Sequence, residues 1–204
     1  MKRILFITLL IIPLISSAQD IEHDDFGLWG DIQVNHSWDK MYCSLRAEYR
    51  SKNNSRQTDC WFLRPTIGCK IAPWLKADIA YDYMNKQQGL YHQGLASLTA
   101  TLKQENLSVS VRERYVYAYS AETRLSSHLL RSQLKAQYNI PNSVFKPYLA
   151  VEMFTWRDWQ KTRHYAGTLI NISPSQSIDL FYMYYTFKGK LAEHVIGVGY
   201  NITL

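Results

Sequence analysis

Arg46, Glu48 and Arg50 alternate along one short stretch and Arg112 and Arg114 along another, while Arg64, Asp78, Asp82, Arg131 and Glu152 recur in stretches of the same kind. Charged side chains at every second position can do two things. Turned into an enclosed passage, they select ions. Meeting across a narrow space, they pair into a buried network that fixes register and fills the interior. The alternation defines one charged face with nine basic members (Arg46, Arg50, Arg64, Lys76, Arg112, Arg114, Arg131, Lys135, Arg163) against six acidic ones (Asp31, Glu48, Asp78, Asp82, Glu152, Asp179). That balance is a weak preference for anions. Pairing of Arg46, Arg50, Arg112, Arg114 and Arg131 with Glu48, Asp78, Asp82 and Glu152 is favoured over an open selectivity lining.

Other chemistry has less support. His92, His128, His164 and His194 fall near strand ends, close to Ser120, Ser126, Ser127, Glu122 and Glu193. Nucleophilic catalysis needs serine, histidine and an orienting group in mutual reach, and no Gly-x-Ser-x-Gly elbow is present. Surface histidines in polar loops are the expectation, and no catalytic residue is assigned. No Cys/His spacing resembles a zinc site, and no glycine-rich loop cradles phosphate, so neither metal nor cofactor is expected. Cys43, Cys60 and Cys69 are odd in number, which forbids complete intramolecular pairing. They read as small residues in strands, Cys43 and Cys69 on the apolar face and Cys60 on the opposite one. A Cys43–Cys69 bridge would need adjacent strands and close Cα atoms. Trp156-Arg157-Asp158-Trp159 reads as a loop tip, with interfacial anchoring favoured over contact with a glycan or partner.

The elements that position these residues repeat with period two. Met41, Cys43, Leu45, Ala47 and Tyr49 interleave with Tyr42, Ser44, Arg46, Glu48 and Arg50. Such alternation means extended strands with two different faces. Eleven segments read so, near 27–36, 41–50, 60–71, 74–84, 91–103, 106–118, 125–140, 145–156, 162–172, 177–187 and 192–204. A soluble sandwich or ligand-binding barrel uses the same alternation with apolar residues inside. Three features favour the membrane sense. The segments are long for a soluble sandwich, and about ten tilted residues span a bilayer. Tyr81, Tyr83, Tyr115, Tyr117, Tyr182 and Tyr184 gather toward strand ends, as an interfacial girdle does. The aromatic content of 14% suits rings at a headgroup layer.

Residues 1–18 read as a cleaved export signal: Lys2 and Arg3, an apolar run from Ile4 to Ile15, then Ser16-Ser17-Ala18. The mature chain then starts at Gln19 as one domain over residues 19–204. It has no run of eighteen apolar residues, so no helix spans a membrane. Removing Lys2 and Arg3 lowers the formal charge from +6 to +4. That excess is spread along strands rather than gathered in a patch, which argues against nucleic acid as a partner. Short turns follow strands one, three, five, seven and nine, and longer polar loops such as Ser51 to Asp59 and Asn85 to Leu90 join the other pairs. Short periplasmic turns and longer outer loops would orient the barrel. A chain with both ends in the periplasm needs an even number of strands. Twelve is therefore favoured, with Asp20 to Phe26 as a short extra strand or a lumen segment, and ten is the alternative. Parity places Glu113 on the lipid face, where a charge is costly, so a bulge near it or a position close to the interface is expected.

With these features the chain resembles an uncharacterised outer-membrane family, domain of unknown function 2490. The likeness rests on the export signal, Leu28-Trp29, Leu45-Arg46-Ala47-Glu48-Tyr49-Arg50, Arg64-Pro65 leading to Trp74, Val111-Arg112-Glu113-Arg114, and Tyr148 to Phe154 with Glu152. It implies a β-barrel in the outer membrane and carries over no catalytic residue. Gly199-Tyr200-Asn201-Ile202-Thr203-Leu204 looks like a terminal strand read by the barrel-insertion machinery, with Leu204 where an aromatic is usual. The expectation is an all-β, antiparallel up-and-down transmembrane barrel. It would be a monomer in outer-membrane lipid, structural or forming a small or gated pore with a charged, largely filled lumen. A barrel hydrolase acting on lipid or surface polymer, and a soluble periplasmic ligand-binding barrel, are the alternatives.

Overall fold

The computed structural model describes residues 25–188 and 192–204, and every regular element in them is a strand. In chain order these are β1 (Asp25–Trp38), β2 (Met41–Lys52), β3 (Gln57–Ala72), β4 (Leu75–Lys86), β5 (Gly89–Gln104), β6 (Leu107–Ser120), β7 (Ser126–Tyr138), β8 (Phe145–Trp156), β9 (Asp158–Ser173), β10 (Gln176–Phe187) and β11 (Glu193–Thr203). Each pairs antiparallel with its neighbour in sequence, and β1 closes the barrel against β11. The export signal expected over residues 1–18, and the stretch from Asp20 to Asp24, lie outside the described residues.

The closure corrects the expected strand number. β1 and β11 run parallel, from Asp25 beside Glu193 to Asn35 beside Thr203. An up-and-down chain of eleven strands must end in the direction in which it began, so its seam is parallel. A backbone edge facing hydrocarbon would leave N–H and C=O groups without partners, and the parallel ladder satisfies them as well as an antiparallel one. With β1 and β11 bonded directly, neither a twelfth strand nor a ten-strand count is required to close the wall.

The sense of the alternation is apolar outward. Ile79 is 62% exposed and Leu102 73%, whereas Glu152 is 1% exposed and Asp82 fully buried. That is the reverse of a soluble ligand-binding barrel. Aromatic residues bound the apolar belt on both sides, with Trp61, Tyr81, Tyr83, Tyr115, Tyr117 and Trp156 toward the rim where β1 starts, here the near rim. Trp38, Trp74, Tyr138 and Phe145 stand toward the opposite, far rim. Trp74 and Tyr83 are nine residues apart, which at about 3.3 Å per residue and a tilt of about 40° spans roughly 23 Å of height, close to the apolar band of such barrels.

Loop lengths differ less than expected. Four of the five far-rim connections have two residues and Asn139 to Val144 has six, while near-rim connections run from Arg157 alone to five residues. Several strands, among them β1, β3, β5 and β9, continue past the ends their polarity suggests, because backbone pairing persists where both faces are polar. Asn85 to Leu90 shrinks to a Gln87-Gln88 turn, so loop length does not orient this barrel. Glu113 corrects one of the two alternatives expected for it. It lies mid-strand in β6, and the register there is unbroken on both sides, opposite Leu98 and Ser132. Instead of a bulge, the Ser132 hydroxyl donates to its carboxylate at 2.7 Å. All three cysteines are free. Cys43 and Cys69 lie on adjacent strands but out of step, since Cys43 faces Ile67 and Cys69 faces Met41.

Candidate functional site

The even strands all rise from the far rim to the near rim, so residues at equal counts from their starts share a level. Glu48, Asp82, Arg114, Glu152 and Met183 are each the eighth residue of β2, β4, β6, β8 and β10. Period two points all five into the lumen. Three carboxylates and an arginine thus meet at one height, somewhat nearer the near rim. Long basic side chains from neighbouring strands converge on them.

Glu48 accepts from Arg50 Nε at 2.6 Å and lies 2.8 Å from Arg46, which also donates to Asp31 at 2.9 Å. Asp82 takes both branches of Arg64, at 2.5 and 2.6 Å, the fork geometry that matches a planar guanidinium to a carboxylate. Glu152 gathers Arg112 and Arg131 at 2.9 Å and Arg163 at 3.4 Å. Arg114 donates to Ser97 at 2.8 Å and lies 3.8 Å from Asp78. These groups come from nine strands, β1 to β9. Met183, Tyr185 and Val195, all buried, close the remaining arc with apolar volume. Carboxylates at this depth lose water and regain it as charged hydrogen bonds, so each depends on its arginines.

Aromatic rings hold the cations from behind. Arg50 lies over Trp29 at 4.0 Å, Arg64 over Phe62 at 4.9 Å, and Arg163 over Tyr185 at 4.5 Å. Such stacking is worth about 0.5–2 kcal/mol each and fixes the plane of the guanidinium.

On the far-rim side, Tyr42 donates to Asp78 at 3.0 Å and Tyr148 to Asp179 at 2.9 Å. Both rings lie across a glycine on the next strand. A Cβ at Gly68 would stand 2.3 Å from Tyr42 Cζ, and one at Gly167 2.7 Å from Tyr148 Cζ. Only glycine leaves room for the ring to fold down and reach its carboxylate. Lys76 and Lys135 rest on these same tyrosines, at 5.6 and 3.8 Å. On the near-rim side a cavity of about 920 Å³ opens above the ring, lined among others by Arg50, Arg64, Lys86, Arg131, Lys161 and Arg163.

All ten residues singled out from the sequence (Arg46, Glu48, Arg50, Arg64, Asp78, Asp82, Arg112, Arg114, Arg131 and Glu152) thus point into this lumen. The pairing differs in detail: Asp82 takes Arg64, and Arg114 has a serine as its nearest partner. Asp31 and Arg163 join the network from outside that set, although parity already put them on the charged face. Lys86 and Lys161 escaped notice because β4 extends past Met84 and β9 begins before Thr162. Lys161 stands opposite Phe154 in the same register as Arg163 opposite Glu152, and the shift at Phe154/Thr155 comes only after it.

The histidines are elsewhere. His92, His128, His164 and His194 sit within β5, β7, β9 and β11 rather than in loops. Tyr115 and His128 Nδ1 are 2.5 Å apart, as are Tyr182 and His194, and Tyr81 hydrogen-bonds His92. These rings join the tyrosines of the outer aromatic girdle. Trp156 stacks on His128 with ring centres 5.0 Å apart, and Trp159 Nε1 donates to Thr162 at 2.7 Å. Among the described residues no cluster of metal-ligating side chains occurs.

The chain belongs to the family described as "Protein of unknown function (DUF2490)", whose model matches residues 26–192. No curated protein matches it. A solved structure described as "NanC porin structure in rhombohedral crystal form" is similar, with a TM-score of 0.53 and 14% identity, covering 82% of this chain and 94% of that one. At that identity the likeness concerns the fold alone.

Proposed function

We propose that this member of a family of unknown function is an outer-membrane barrel whose lumen is narrowed, at the level of Glu48, Asp82 and Glu152, to a small or gated pore that prefers anions. The observation that carries this reading is the ring itself. Carboxylates 5%, 0% and 1% exposed are pinned by arginines from several walls, so side chains fill the cross-section there. A barrel of eight strands is filled by its side chains and one of sixteen holds a water channel; eleven lies between, where the interior residues decide. Basic groups outnumber acidic ones on the charged face, which favours anions in a confined passage. The apolar belt between two aromatic girdles, the expected export signal over residues 1–18 and the porin-like fold support placement in the outer membrane. The protein would be a monomer there, surrounded by lipid and inserted by the barrel-assembly machinery. Reconstitution into planar bilayers tests the reading. Small unitary steps, with a reversal potential in a KCl gradient that favours chloride, are expected. Large cation-selective steps like those of an open channel would overturn it.

A further inference from the structure

The near-rim cavity carries an inference that builds on the proposed anion preference and gives it a site. Most cations of the lumen have carboxylates within ion-pair distance. The side chains of Lys76, Lys86, Lys135 and Lys161 form no ion pair or hydrogen bond among the described residues. The tyrosines under Lys76 and Lys135 bond Asp78 and Asp179, whereas the rings under Lys86 and Lys161 bond no carboxylate. Lys86 rests on Tyr91 at 4.5 Å, and Lys161 on Phe154 at 4.8 Å, Tyr185 at 5.2 Å and Phe187 at 6.0 Å. Phe154 and Phe187 have no polar group to offer and the Tyr185 hydroxyl accepts from Arg163, so these rings fix the ammonium groups without neutralising them. Two carboxylates face the same cavity: Asp59, which Lys52 holds at 3.7 Å, and Glu193. The floor adds Arg50, Arg64, Arg131 and Arg163, whose other sides serve Glu48, Asp82 and Glu152. We propose that this cup binds a small multivalent oxyanion, bearing phosphate or carboxylate groups, with Lys86 and Lys161 as its direct ligands and the arginine floor as its counter-charge.

The site is held open by its own repulsion. Unpaired ammonium groups above an arginine floor raise the energy of the empty cup, and an anion with two or more charges relieves that along its whole perimeter. Monovalent chloride reaches fewer of them at once. The volume of about 920 Å³ admits a solute of drug size or smaller.

Calorimetric titration of the full mature protein, folded in detergent, tests this without requiring conduction. Tripolyphosphate and citrate should each bind with one site per barrel and weaken as salt is raised. Spermine, of opposite charge, should not bind there. Lys86→Gln with Lys161→Gln should weaken tripolyphosphate at least tenfold. Lys76→Gln with Lys135→Gln, which removes the same charge from the far side, should change it less than twofold. Lys86→Arg with Lys161→Arg should restore binding and guards against a folding defect. Equal losses in the two Gln doubles, or equal binding of spermine, would overturn the site. Binding that tightens tenfold when Asp20, Glu22 and Asp24 are neutralised would overturn it too, assigning the cup to the chain's own acidic start. The two oxyanion chemistries separate by probe: citrate alone binding marks a carboxylate site, tripolyphosphate alone a phosphate site, and either supports the oxyanion class. A barrel that binds but does not conduct keeps the cup and loses the pore. One that conducts but does not bind does the reverse.

Discussion

The two halves of the lumen use the same device to opposite effect. Below the ring, Lys76 and Lys135 rest on Tyr42 and Tyr148; above it, Lys86 and Lys161 rest on Tyr91 and on a cluster of Phe154, Tyr185 and Phe187. In the far half both tyrosine hydroxyls donate to aspartates, so each lysine has a carboxylate brought near its ring. In the near half Phe154 and Phe187 have no hydroxyl, and the hydroxyl of Tyr185 accepts from Arg163 at 3.4 Å. A ring beneath a cation settles where the charge stands. What hangs from the ring settles whether that charge is compensated.

The ring between the halves is the place where this contrast breaks most severely. Glu152→Gln leaves Arg112, Arg131 and Arg163 facing a neutral amide, and should cost about 3–5 kcal/mol by leaving buried charge uncompensated. Urea unfolding in detergent, followed by the heat-modifiable shift in gel mobility, measures it. A loss below about 1 kcal/mol would mean that water reaches the ring. The same variant should raise unitary chloride conductance.

Gly167→Val comes next. A branched side chain would meet Tyr148, whose Cζ is already 2.7 Å from a Cβ built there, and the overpacking should cost about 1–3 kcal/mol. The equivalent unfolding experiment reads it, and Tyr148→Ala in the same chain should recover part of the loss.

Tyr148→Phe against Tyr185→Phe sharpens the comparison at single-atom scale. The far-half change removes a donor from Asp179 at 2.9 Å and should cost about 1 kcal/mol. The near-half change removes only a long contact of 3.4 Å and should be close to neutral. Equal costs would erase the distinction between the halves.

The smallest effect is on selectivity. Lys86→Gln with Lys161→Gln should lower the chloride-to-potassium permeability ratio by about twofold, and Lys76→Gln with Lys135→Gln by less, because the far half keeps Asp31, Asp78 and Asp179 near its cations. Reversal potentials in a KCl gradient give the ratio directly.

Much of the wall was legible from alternation alone. All eleven strands lie where polarity puts them, most extended by a few residues and β7 and β11 slightly shorter, and the inward set contains the ring's charged members. The strand number was not legible, because the even count rested on both chain ends sharing one compartment, and nothing local in β1 or β11 reveals that they run side by side. Glu113 was assigned the correct face, but the bulge offered for it is not found. Its hydrogen bond comes from Ser132, a residue nineteen positions away that only strand pairing brings opposite. Lys161 was missed because the ninth segment was started at residue 162, although it lies two positions from Arg163 on the same face and in unbroken register with it. The histidines were placed near the right rim but in loops, because an isolated polar residue near a strand end looks the same as one just past it.

The sequence by itself determined which side chains share a face, since that depends only on each residue's two neighbours along an extended chain. Which face lies outside needed the closed barrel, because a soluble barrel uses the same alternation inverted; Ile79 exposed and Glu152 buried decide it. The tertiary structure alone decided which charges meet. A carboxylate on β8 finds arginines on β6, β7 and β9 only after closure has set the curvature and register, and those are properties of the whole ring of hydrogen bonds rather than of any one strand.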